Sequence, residues 1–145
     1  MPVFFLVLLI VMTIQDKVYE VGRSTQALNK EAHARTLGSD LLVVRNALAA
    51  YRRDNPAELG TVDLAALGLP NWFTPSAQLH ALIDSTNAYV YYTPRDDKPD
   101  LMAILGTAVP ASAGVARNGQ LQSPHSLFSI PLPAAIPNGS IVLML

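Results

Sequence analysis

Hydrophobic and polar positions divide the chain into segments of different kind. Residues 1–14 (MPVFFLVLLIVMTI) carry no charged side chain and form the most apolar run. The run is apolar on every side, as a membrane helix is, but falls short of the ~20 residues that a bilayer crossing uses. The expectation is an uncleaved anchor that tilts little or thins the bilayer locally. The alternatives are a signal peptide, which would want a basic start and a better cleavage site, and a buried core helix. After Gln15 the pattern turns amphipathic. Val18, Val21, Thr25, Leu28 and Ala32 recur at threes and fours, a narrow stripe suited to one partner helix. Gly38-Ser39-Asp40 offers a break with Ser39 or Asp40 as cap, and the pattern from Phe4 to Arg53 fits one bent helix or two. Leu37, Leu41, Val44, Leu48 and Tyr51 then make a cleaner stripe, which Asn55-Pro56 closes because a residue before proline avoids the α region.

Beyond Leu59 the period changes. Residues 61–68 (TVDLAALG) predict a short helix starting at Thr61, with Gly68 as its left-handed stop. Residues 77–83 predict one or two further helical turns. Residues 88–93 (AYVYYT) and 101–105 (LMAIL) have strand composition, with a polar turn at 95–100 between them. Asn118-Gly119, inside residues 115–122, is the strongest hairpin signal in the chain. Residues 127–130 suggest another short strand. Residues 141–145 (IVLML) follow a Pro137-Asn138-Gly139 turn, and read either as a central strand or as an apolar edge that docks on a partner. Helix first and strands later indicate α+β: an N-terminal membrane anchor and long amphipathic helix, then a small antiparallel-sheet head packed on the second stripe. The expected divisions are 1–14 (anchor), 15–38 (stalk) and 39–145 (head).

Composition narrows the function. Half of the 145 residues are apolar and 14% are charged, and 10 basic against 11 acidic side chains leave a net charge of −1. That excludes disorder throughout and gives no basic footprint for nucleic acid. With no Cys there is no disulfide, thiolate metal site or Cys nucleophile. Charge also thins along the chain, and Arg117 is the one charged residue beyond position 101.

Chemistry is sparse. His33, His80 and His125 share no ligand spacing and are expected on a solvated helix face, at a helix edge and in a loop. Asp96, Asp97 and Asp100 lack the pattern of a calcium loop and read as a solvated turn. No nucleophile elbow, phosphate loop or dinucleotide fingerprint occurs. No metal, no cofactor and no enzymatic activity are expected. Arg52-Arg53 suit the dipole at a helix end. Tyr89 and Tyr91 share one sheet face and Tyr92 the other, as cross-strand packing. In the loop 69–73, Trp72 with Phe73 is either an exposed anchor for a partner or a lid over the core. The candidate partner-binding residues are therefore Val18, Val21 and Leu28 on the stripe, and Trp72 and Phe73 in the loop.

Taken in order, the apolar start, LVVRNALAAYRRDNP (42–56) and TVDLAALGLPNWF (61–73) resemble the amino-terminal half of type IV pilin-like proteins. NGQLQSP (118–124) and LPAAIPNGSIVLML (132–145) look most like the small PilM family of thin, type IVb conjugative pilus systems, a resemblance that covers the whole chain. It implies a single-pass inner-membrane protein of the pilus basal apparatus, with its body in the periplasm. The chain departs from processed pilins in having no basic leader before Phe4 and no Glu in residues 3–14, so an unprocessed accessory is expected rather than a filament subunit. Lys17, Arg23, Lys30 and Arg35 follow the apolar run, and by the positive-inside rule they argue for the opposite orientation. The expected partners are other pilus assembly proteins, the membrane through the N-terminal helix, and a second copy of the chain. Alternatives from other classes are a periplasmic binding module released by signal cleavage and a membrane-tethered hydrolase using His125 with Ser123 or Ser126.

Overall fold

The structure is a computed structural model, and it describes residues 2–95, 104–105, 110–124 and 126–145, with side chains from residue 25 onward. A single helix, α1 (Pro2–Asp54), decides between the one helix and the two that the pattern around Gly38-Ser39-Asp40 allows. The glycine serves a different purpose. A Cβ on Gly38 would stand 2.0 Å from the Ile104 carbonyl oxygen, so the residue lets another segment approach the helix rather than ending it. The chain forms two compact units, Met1–His33 and Ala34–Leu145. Within the first, α1 is continuous. Among the described residues no helix is long and apolar enough to cross a membrane. The apolar run meets Gln15-Asp16-Lys17 too soon.

In the second unit α1 buries the stripe Leu37, Leu41, Val44 and Leu48 against a seven-stranded sheet. The strands are β1 (Gly60–Val62), β2 (Leu79–Ile83), β3 (Ala88–Tyr92), β4 (Ala113–Arg117), β5 (Gln120–Gln122), β6 (Ile130–Pro131) and β7 (Ile141–Met144). Their order is β1-β2-β3-β7-β4-β5-β6, with every neighbouring pair antiparallel. Two meanders, β1-β2-β3 and β4-β5-β6, are thus joined by β7 in the middle. The fold is α+β, one long helix and an antiparallel sheet.

Alternation sorts side chains to the two faces. Leu79, Ala81, Ile83, Ala88, Val90, Ala113, Ile141 and Leu143 join the helix in one cluster. Leu82, Tyr89, Tyr91, Ala116, Leu121 and Val142 form a second cluster on the other face, together with Ile136 and the half-buried Leu132. The tyrosines divide as their spacing requires, with Tyr92 packed on the helix-side cluster. Burial on both faces explains why β7 is an uninterrupted apolar run: Ile141, Val142 and Leu143 are all at most 2% exposed. Residues 141–145 therefore supply a central strand and not a docking edge.

Several local expectations give way to tertiary pairing. Residues 79–83 are strand β2, because five consecutive pairs with β3, from Leu79↔Tyr92 to Ile83↔Ala88, outweigh a short helical pattern. Thr61 lies in β1 opposite Leu82. The turn after it is 3-10, Leu64–Leu67, and its cap is Asp63, whose carboxylate accepts the Ala65 N–H at 3.0 Å. Gly68 ends it in the left-handed conformation, as expected. The Asn118-Gly119 turn has φ of 51° and 73°, the pair of positive angles that a two-residue hairpin between β4 and β5 uses. Of residues 127–130 only Ile130 is in a strand. Within the expected strand 101–105, Ile104 and Leu105 are helical, and residues 101–103 lie outside the described residues. So do residues 96–100 of the polar turn, which include Asp96, Asp97 and Asp100, and His125.

Candidate partner-binding surface

The loop between the 3-10 turn and β2 holds the two adjacent aromatics. Phe73 donates its N–H to the Pro70 carbonyl at 2.9 Å, which closes a tight turn. That turn sends the neighbouring side chains in different directions. Phe73 is 9% exposed and lies in the helix-side cluster with Leu67, whereas Trp72 is 74% exposed. The rings meet edge to face, 5.9 Å apart at 89°. Phe73 is thus the lid over the core, and Trp72 is the exposed aromatic that it supports. On α1, Leu28 is 66% exposed. Val18 and Val21 lie in the part of the helix whose side chains are not described.

Leu127 and Phe128 are the further exposed pair, at 102% and 83%. Ser126 holds them out: its hydroxyl accepts the Phe128 N–H at 3.1 Å and donates to the Phe128 carbonyl at 3.2 Å. Their apolar, β-prone composition reads as strand. The signal against it was the Ser-x-Phe local turn followed by Pro131, which cannot donate to a ladder.

The polar side chains act mainly as braces. Arg52 donates to the Thr86 carbonyl at 2.7 Å, tying the end of α1 to the β2–β3 turn. In that turn one Asp84 oxygen accepts the Thr86 and Asn87 N–H groups at 2.7 and 2.6 Å, and the other accepts the Tyr89 hydroxyl at 3.0 Å. Burial works against the charged carboxylate, but the Asn87 and Thr86 N–H groups, the Tyr89 hydroxyl and the Arg52 guanidinium outweigh it. The Asp84 carboxyl is held below the ordinary value. Tyr51 donates to the Glu58 carboxylate at 2.5 Å, and that bond, with a smaller contribution from burial, raises its phenol above the ordinary value. Burial raises Tyr91. Arg53 makes an exposed 3.8 Å contact with Asp54, which stabilises little. Of the histidines, His33 is exposed on α1. His80 lies in β2 rather than at a helix edge, with its ring 5.2 Å from that of Tyr91, its partner across the ladder. Among the described residues no three His, Asp or Glu side chains are grouped to hold a metal ion.

These features define a helix-led α+β protein with exposed apolar side chains at Leu28, Trp72, Leu127 and Phe128. Sequence comparison places it further. The PilM family profile matches residues 8–144, and the chain belongs to the PilM family of pilus-associated proteins. It is similar to a crystal structure of a PilM protein from Escherichia coli B7A, with 29% identity, a TM-score of 0.59, and coverage of 80% of this chain and 94% of the other. A PilM protein from Pseudomonas aeruginosa 2192 is 34% identical over 77% of this chain and 92% of its own, with a TM-score of 0.47. No curated protein matches the chain.

Proposed function

We propose that this protein is a non-catalytic component of a thin, type IVb pilus biogenesis apparatus, and that it scaffolds pilin transport or basal-body assembly through protein contacts. Its membership of the PilM family across residues 8–144 is the observation that carries this reading. The apolar residues 1–14 hold it at the inner membrane as a short single-pass anchor, with residues 15–38 as stalk and 39–145 as a periplasmic head. Flanking polar residues reaching the headgroups and local thinning of the bilayer accommodate the short run. The partners are other pilus assembly proteins. The stripe of Val18, Val21 and Leu28 supplies a helix contact, and Trp72, supported by Phe73, supplies a contact on the head. The exposed Leu28 and Trp72 support this assignment, since an anchor for a partner must be accessible before the partner binds.

Two C-terminal reporter fusions, one active only in the periplasm and one only in the cytoplasm, test the orientation; cytoplasmic signal refutes it. The contact surface is tested by Val21→Glu with Leu28→Glu in the full chain. Loss of piliation with unchanged thermal unfolding is expected, and normal pili refute the stripe.

A further inference from the structure

Two Asn-Gly steps occur in this chain, Asn118-Gly119 and Asn138-Gly139, and the fold treats them differently. Asparagine before glycine is the step most prone to spontaneous loss of its side-chain amide, because glycine leaves the next backbone nitrogen unhindered. At Asn138 that nitrogen is engaged: Gly139 donates its N–H to the Ala116 carbonyl at 2.8 Å, and Gly139 is half-buried. At the β4–β5 turn both residues are exposed, and the Gly119 N–H donates to no group among the described residues. The other asparagines lack a following glycine. Asn55 precedes Pro56, which has no N–H to give up, and Asn29 and Asn46 lie within α1.

We infer that Asn118 is a modification site at which this protein deamidates in its folded state, while Asn138 is protected. The Gly119 nitrogen attacks the Asn118 side-chain carbonyl carbon. A C–N bond forms, the bond from that carbon to Nδ2 breaks, and Nδ2 leaves as ammonia with the proton from Gly119. Water then opens the five-membered imide at either carbonyl, giving aspartate or isoaspartate. Both products place a carboxylate beside Arg117, the one charged residue beyond position 101. Isoaspartate also adds a methylene to the main chain, so a two-residue turn no longer matches the Arg117↔Gln120 register. The Leu132 N–H bond to the Gly119 carbonyl, 2.9 Å long, holds the segment after β6 against the same turn. The change therefore loosens the β4-β5-β6 meander and spares β1-β2-β3.

The full chain is incubated in mildly alkaline buffer, and samples are digested and read by mass spectrometry for the exchange of NH for O. An isoaspartyl methyltransferase labels the isoaspartate. Asn118 is expected to convert about tenfold faster than Asn138, the factor that one retained hydrogen bond is worth to the attacked step. In concentrated urea the two rates are expected to converge. Equal rates in the folded chain, faster conversion at Asn138, or no conversion at either site overturns the inference. A difference that persists undiminished in urea also overturns it, since the flanking residues and not the fold would then be the cause.

Discussion

Gly38→Ala sets two effects of opposite sign against each other. In the interior of a helix, alanine is favoured over glycine by about 1 kcal/mol. On that ground alone the substitution in α1 stabilises the protein. The structure reverses the sign. The added Cβ would lie 2.0 Å from the Ile104 carbonyl oxygen and 3.1 Å from its carbon, and both atoms are main chain, so no rotamer relieves the clash. The segment carrying Ile104 must retreat by about 1 Å, which places the cost near the top of the ~1–3 kcal/mol range for overpacking. The net expectation is a loss of about 2 kcal/mol, or a melting point lower by roughly 10 °C for a unit of this size. Urea unfolding followed by far-ultraviolet circular dichroism measures it. Ser39→Gly against Ser39→Ala, at the exposed neighbouring position, calibrates the propensity difference separately. A Gly38→Ala protein more stable than the parent by about 1 kcal/mol would refute the close approach of Ile104 to the helix.

The two aromatics of the 69–73 loop should respond differently: Phe73→Ala costs about 3–5 kcal/mol by urea titration, while Trp72→Ala stays within about 0.5 kcal/mol of the parent. Equal losses would show that Trp72 is also core. Asp84 has a lowered pKa in the fold, so its stabilising contribution is complete above the unfolded carboxylate value of ~3.9 and fades as pH falls through the lower folded value. The gap in urea midpoint between the parent and Asp84→Ala is therefore expected to be constant near neutrality and to close in acid; a gap that widens on acidification contradicts the network at the β2–β3 turn. Val142→Pro removes a donor from the central strand and should abolish the cooperative transition, with a cost of about 3 kcal/mol or more. A folded Val142→Pro protein would place β7 at an edge instead.

What the sequence made legible follows the strength of each local signal. Leu37, Leu41, Val44 and Leu48 were identifiable because the helix period and the burial requirement coincide at every position. Asn118-Gly119 was readable because few other residues accept two successive positive φ angles. Residues 79–83 were misread because a five-residue segment with four apolar positions fits both periods, and pairing with β3 decides between them. Gly38 left one helix or two equally readable, because a sequence does not show that a main-chain carbonyl passes beside it. The exposed aromatic could be narrowed to Trp72 or Phe73, but which one faces water depends on the Pro70–Phe73 turn. Leu127 and Phe128 went unrecognised as a surface pair because apolar composition ordinarily signals burial.

The position of β7 between the two meanders has a consequence for how the protein is made. Each meander pairs neighbours in the chain and can form early, but neither meets the other until β7 is available. The partners of β7 in β3 are roughly fifty residues upstream, so its docking carries most of the loop-closure cost. During synthesis the nascent chain therefore holds two half-sheets, each with an unpaired inner edge, until residue 144 has been added. Whatever escorts the polypeptide meets those open edges first, and the closed sheet only afterwards.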